Sequence, residues 1–139
     1  VIKVEPLPEG STDIDTLEAG WEYVRDGKIV IYGAIDPTPT VLEKTADLRE
    51  FVLSLERDDL RGKNMSATFA SKLDALVRQV ENGATDGASA KIERDLLPKV
   101  DGVVAGGAVE RDDWVTDPAA QRRVYWSLQE LLVLLSIAG

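Results

Sequence analysis

Residues 64–104 read NMSATFASKLDALVRQVENGATDGASAKIERDLLPKVDGVV. Met65, Phe69, Leu73, Leu76, Val77 and Val80 recur three or four residues apart. That spacing places them on one face of a helix and turns Lys72, Arg78 and Gln79 away. After Asn82-Gly83 the pattern restarts with Ile92, Leu96, Leu97, Val100, Val103 and Val104. The stretch therefore reads as two helices joined at Gly83, where a residue free to adopt left-handed backbone stops the first. Neither helix can hide its stripe alone, so each needs the other and at least one further partner.

The flanking sequence supplies those partners. Upstream, a helix is expected from near Thr45, a capping residue type, to about Leu55, with Leu48, Phe51, Val52 and Leu55 on its apolar face. The charged segment from Glu56 to Lys63, broken at Gly62, leads to Asn64 or Ser66 as the next cap. The third helix should run from Thr85 or Ser89 to Val104. Pro98 should kink or divide it, because the ring lacks a donor and clashes with the preceding turn. Gly102, Gly106 and Gly107 should then dissolve it. The fourth helix opens at Asp117-Pro118, a cap followed by the residue best suited to the first helical position. Its inner stripe is Val124, Leu128, Leu131, Leu135 and Ala138, widened by Leu132 and Leu134, so it should be the most buried of the four.

The N-terminal region has a different character. Pro6, Pro8 and Gly10-Ser11-Thr12 make residues 1–20 a linker or extended arm, in which Ile2 and Val4 suit a short edge strand against a neighbour outside this chain. Asp13 and Asp15 lack the further ligands of a calcium loop and read as solvated. Trp21, Tyr23, Ile29, Ile31 and Tyr32 flank Asp26-Gly27 as in a tight β-hairpin. Pro37-Thr38-Pro39-Thr40 reads as extended backbone ending that region. The expectation is a mainly α protein. An arm with a short hairpin over residues 1–40 precedes an antiparallel, up-down four-helix bundle over residues 41–139.

Composition narrows the chemistry. The 139 residues suit one domain, or one small domain with an appendage, and the hydrophobic share of 44% suffices for a core. A formal charge of −9, from 25 acidic and 16 basic residues, argues against nucleic acid as a partner, since that binding rests on Lys and Arg meeting phosphate. Cysteine and histidine are both absent. Disulfides, thiolate metal sites, the Ser-His-Asp triad and the usual zinc ligand are thereby excluded. Carboxylate, Lys or Tyr chemistry remains. The apolar run from Leu131 to Leu135 is far shorter than the roughly 20 residues of a membrane span, so no membrane insertion is expected. The start at Val1 is read as processing, or excision from a longer polypeptide.

Two features carry candidate chemistry. Glu56-Arg57-Asp58-Asp59 recurs as Glu110-Arg111-Asp112-Asp113, each tetrad preceding a long helix. If the two loops meet at one end of the bundle, Asp58, Asp59, Asp112 and Asp113 could contact a ligand or partner, hold a divalent cation, or flank a substrate as an acid/base pair; otherwise they are solvated charge. Among the three tryptophans, Trp126 reads as core or interhelical, Trp21 as packing the hairpin onto the helices, and Trp114 as either a loop anchor or a ligand or partner contact. No phosphate-binding glycine loop, metal site or cofactor motif is present.

From Leu48 to about Leu135 the chain resembles the FIMAH-type small helical domain. The residues carrying the likeness are Gly62, Ser71-Lys72-Leu73 with Ala75, Asn82-Gly83, Ala88 and Ala90, Leu97 and Val100, and Ser127-Leu128-Gln129-Glu130-Leu131-Leu132. The resemblance implies a compact antiparallel helical unit attached to secreted bacterial enzymes, many acting on polysaccharides or peptides. It implies no catalytic residues. The expectation is thus a non-catalytic, extracellular accessory module, without cofactors, that docks to other domains of its parent protein, to a polysaccharide or to a protein. The alternative is a subunit or fragment of a larger assembly, packing through its arm and apolar C-terminal helix.

Overall fold

The structure, a computed structural model, describes residues 2–3, 21–25, 28–32 and 37–138. It is mainly helical. Helix α1 spans Thr38–Ser54, α2 Met65–Glu81, α3 Thr85–Lys91, α4 Gly102–Gly106 and α5 Pro118–Ala138. Three short strands precede them: β1 Ile2–Lys3, β2 Trp21–Arg25 and β3 Lys28–Tyr32. β3 is central, paired antiparallel with β2 (Trp21 opposite Tyr32, Arg25 opposite Lys28) and parallel with β1. The neighbour of the Ile2 strand is thus β3 of the same chain, a correction to the expected outside partner. The solvated loop at Asp13 and Asp15, the Asp26-Gly27 turn and the packing of the Trp21 ring lie outside the described residues.

Helix α1 begins earlier than the sequence suggests. Pro37 is its cap and Pro39 lies in its first turn. The first turn of a helix has no internal acceptors for its N–H groups, so a residue lacking one is tolerated there. Thr45 is not a cap. It is buried in mid-helix, its hydroxyl donating to the Val41 carbonyl at 2.7 Å. Helix α2 starts after Asn64, which makes no side-chain cap bond.

The end of α2 follows the glycine rule. Gly83 has φ +77°, its N–H reaches the Val80 carbonyl at 3.0 Å, and Ala84 N–H reaches Gln79 O at 2.8 Å. This is the paired bonding of a Schellman stop. Beyond it, Pro98 divides the third helix as expected. α3 passes through a π turn at Ile92–Leu96 into a 3-10 turn at Leu97–Lys99, and the chain breaks at Val100 before α4. Gly102 does not dissolve a helix; it opens α4, and Gly107 ends it.

Helix α1 contacts α2 and α5; α3 contacts α2 and α5; α4 and β3 lie against α5. Between them Phe69, Leu73, Leu76, Ile92, Leu96, Val124, Leu128, Leu131 and Leu135 are almost wholly buried. Each such side chain contributes about 1.5–3 kcal/mol of hydrophobic stabilisation. Leu134 joins this core and Leu132 packs partly against it. Among the described residues no helix is long and apolar enough to cross a membrane.

Candidate functional site

The two tetrads do come together. Between α1 and α2, residues Arg57–Asp59 form a single 3-10 turn. Asp59 N–H donates to the Glu56 carbonyl at 2.9 Å, and Glu56 N–H donates to Asp59 Oδ2 at 3.2 Å. The second tetrad repeats both bonds. Asp113 N–H meets Glu110 O at 3.2 Å, and Glu110 N–H meets Asp113 Oδ2 at 2.6 Å. The sequence echo is therefore one kind of turn used twice, in which the last Asp of the tetrad ties the first residue's backbone.

The residues after each turn join the turns. Leu60 and Val115, both buried, form an antiparallel bridge. Arg61 N–H donates to Trp114 O at 2.9 Å, and its guanidinium donates to the carbonyls of Asp113 (3.0 Å) and Glu110 (2.8 Å). Thr116 closes the other side, its N–H on Asp59 O at 2.8 Å and its hydroxyl on Asp58 O at 3.1 Å. The loops thus meet through backbone groups, with an arginine clamping the second turn. Asp112 faces Lys99 at 3.9 Å across an exposed gap. Asp58 is exposed.

Asp113 is the centre of this end of the molecule. It is 0% exposed, and its Oδ2 also accepts from Gln121 Nε2 at 2.9 Å. Gln121, equally buried, donates again to Val115 O (2.8 Å) and accepts at Oε1 from Val103 N–H (2.8 Å). Among the described residues Asp113 Oδ1 has no hydrogen-bond partner. Gly102 lies against the same carboxylate. A Cβ there would overlap Asp113 Oδ2 and come within 2.6 Å of the Ala108 carbonyl. Gln121 and Gly102 are the residues that sequence reasoning missed. The available signal was that Gln121 continues the Val124–Leu128–Leu131 stripe one step toward the N-terminus, and a polar group on an apolar stripe needs buried partners.

The break at Pro98 makes the arrangement possible. In an unbroken helix Val103 N–H would bond the Lys99 carbonyl. Here Lys99 O accepts from Trp114 N–H at 2.7 Å and Val103 N–H turns to Gln121. One helical bond is exchanged for two tertiary ones. The Trp114 ring is half-buried, packed edge-on against Phe69 at 5.4 Å between centroids, so its geometry is that of an anchor. Trp126 is likewise half-buried, edge to face with Tyr125.

The electrostatics follow from crowding. Burial first, then the Asp113 charge, pushes the Asp101 carboxyl above the usual Asp range. Glu110 is raised too, by lost hydration and then by Asp101, Asp113 and Asp112. Like charges held close disfavour the ionised form. Among the described residues no three His, Cys, Asp or Glu side chains converge closely enough to hold a metal ion. Asp59 and Asp113 serve the backbone, and the site's capacity is to fix two loops together.

Comparison with protein-family models, curated proteins and solved structures finds no match.

Proposed function

We propose that the chain is a non-catalytic accessory module of a secreted, multidomain bacterial hydrolase, docking to a glycan or to a protein surface. In this reading the fold is an antiparallel up-down bundle of FIMAH type, with the β2–β3 pair as its hairpin arm, and the protein works outside the cell. The observation that carries the proposal is that two of the four tetrad carboxylates are taken up by their own turns, which leaves only Asp58 and Asp112 exposed. Asp59 and Asp113 tie their own turns, and Asp113 is buried beneath Gln121 and Gly102. An acid/base pair for hydrolysis needs carboxylates free to face a substrate.

The test is a hydrolysis assay of the 139-residue chain on a panel of polysaccharides and peptides. No turnover is expected. A rate abolished by Asp112→Asn would establish a carboxylate hydrolase instead.

One observation favours a subunit role as the second reading. A groove of about 470 Å³ beside the π turn has Leu97, Leu132 and Val133 on its floor. Light scattering separates the two readings: a monomer is expected for the module, an obligate oligomer for the subunit.

A further inference from the structure

A second cleft, away from the tetrads, lies between α1 and α5 and has a volume of about 210 Å³. Half-buried Phe51 supplies its accessible apolar surface; Leu48, also in the lining, is only 3% exposed. At one end the Lys44 ammonium meets Glu130 at 2.6 Å. At the other the Arg123 guanidinium lies 4.0 Å above the centre of the Phe51 ring. Stacking uses the face of the guanidinium and leaves its N–H groups at the edge. Among the described residues nothing accepts from them. Asp47, exposed and without a protein partner among those residues, stands on the same rim. Ser127 donates its hydroxyl hydrogen to the Arg123 carbonyl at 2.8 Å, which leaves its oxygen able to accept.

Among the described residues that line this cleft, two cations stand against two carboxylates, in a chain whose net charge is −9. An anionic ligand would meet Asp47 and Glu130; a cationic one would meet Lys44 and Arg123. A wholly apolar ligand would strip water from the Arg123 donors without replacing it. What fits is a group that donates and accepts hydrogen bonds around its edge and offers an apolar face. A sugar ring, with hydroxyls that do both and a face of C–H groups, has this complement. We propose that the α1–α5 cleft binds one neutral sugar ring of a glycan, held by Asp47, Glu130 and Arg123 beside the Phe51 ring. This rests on the docking-module reading for the presence of a glycan, and on the cleft for its class.

The experiment titrates the isotopically labelled 139-residue chain with neutral oligosaccharides (cello-, xylo- and malto-oligomers), with oligogalacturonate and with a C-terminal peptide carboxylate, followed by NMR. Saturable shifts confined to the facing turns of α1 and α5 are expected with at least one neutral oligomer. Asp47→Asn should weaken that binding about tenfold, as should Arg123→Gln, while Asp58→Asn leaves it unchanged. Asp47 makes no hydrogen bond or ion pair among the described residues, so its variant remains informative if Arg123→Gln folds poorly. Absence of saturable binding to every neutral oligomer overturns the proposal. So does preference for galacturonate or the peptide, or binding indifferent to Asp47→Asn. Hydrolysis or obligate oligomerisation would overturn the module reading separately, whatever the cleft binds.

Discussion

The tetrads at 56–59 and 110–113 share four letters and two hydrogen bonds, yet they carry different loads. In the first, the Asp59 carboxylate ties an exposed turn and nothing else. In the second, the same carboxylate is fully buried, bonded to Gln121, and pressed by Gly102. Water can replace the first set of bonds when the side chain is removed. It reaches the second less well, because the Gln121 donor would stay buried. The contrast shows that a local motif fixes a conformation, while its surroundings fix its weight in the stability of the whole.

The widest gap is expected from the matched alanine variants. Asp113→Ala should cost about 3 kcal/mol, because it takes one of the two acceptors of the buried Gln121 amide and the acceptor of Glu110 N–H. Asp59→Ala should cost about 1 kcal/mol, the usual loss of an exposed cap. Urea unfolding of the two proteins measures both, and equal losses would break the comparison. Gly102→Ala follows at about 2–3 kcal/mol, since the added methyl must displace Asp113 or the backbone beneath it. A neutral outcome there would mean that the second turn yields as easily as the first. Arg61→Ala should cost about 1 kcal/mol by releasing the carbonyls of Glu110 and Asp113. Hydrogen exchange should then show faster opening of residues 108–117, with 56–60 less affected.

The smallest effect is pH dependence. Asp101 and Glu110 titrate above their ordinary values in the folded chain, so protonation favours folding. Their contribution is fully present below the ordinary carboxylate values and is lost as pH rises through the raised ones. Paired Asp101→Asn and Glu110→Gln substitutions should therefore flatten the thermal-stability profile between neutral pH and the ordinary carboxylate range. An unchanged profile would remove electrostatic crowding from the differences between the tetrads.

Much of this was legible from residue types. The stop at Gly83, the cap at Asp117-Pro118 and the division at Pro98 are local consequences of backbone freedom, side-chain capping and a missing donor. Asp117 Oδ2 indeed accepts from Ala120 N–H at 2.9 Å. The start of α1 was misread because Pro37-Thr38-Pro39 suits both an extended segment and a first helical turn, and only the packing of buried Val41 decides between them. Gln79 was expected to face solvent. Its Oε1 is buried, and a Cβ on Gly87 would lie 3.1 Å from its Nε2, a contact between helices that periodicity within one helix does not contain. The tetrad echo marked the right loops as a pair. That their last carboxylates turn inward to the backbone depends on Gln121 and Gly102, which are distant in sequence from the first tetrad.

The exchange of partners at Lys99 and Val103 makes one amide proton a distant reporter. Val103 N–H sits in a five-residue helix too short to protect itself, yet its acceptor belongs to α5. Its rate of exchange with deuterated solvent should follow the opening of α5 at Gln121 and not the fraying of α4. A single slow resonance in an otherwise fast-exchanging segment would time the departure of the C-terminal helix from the rest of the molecule.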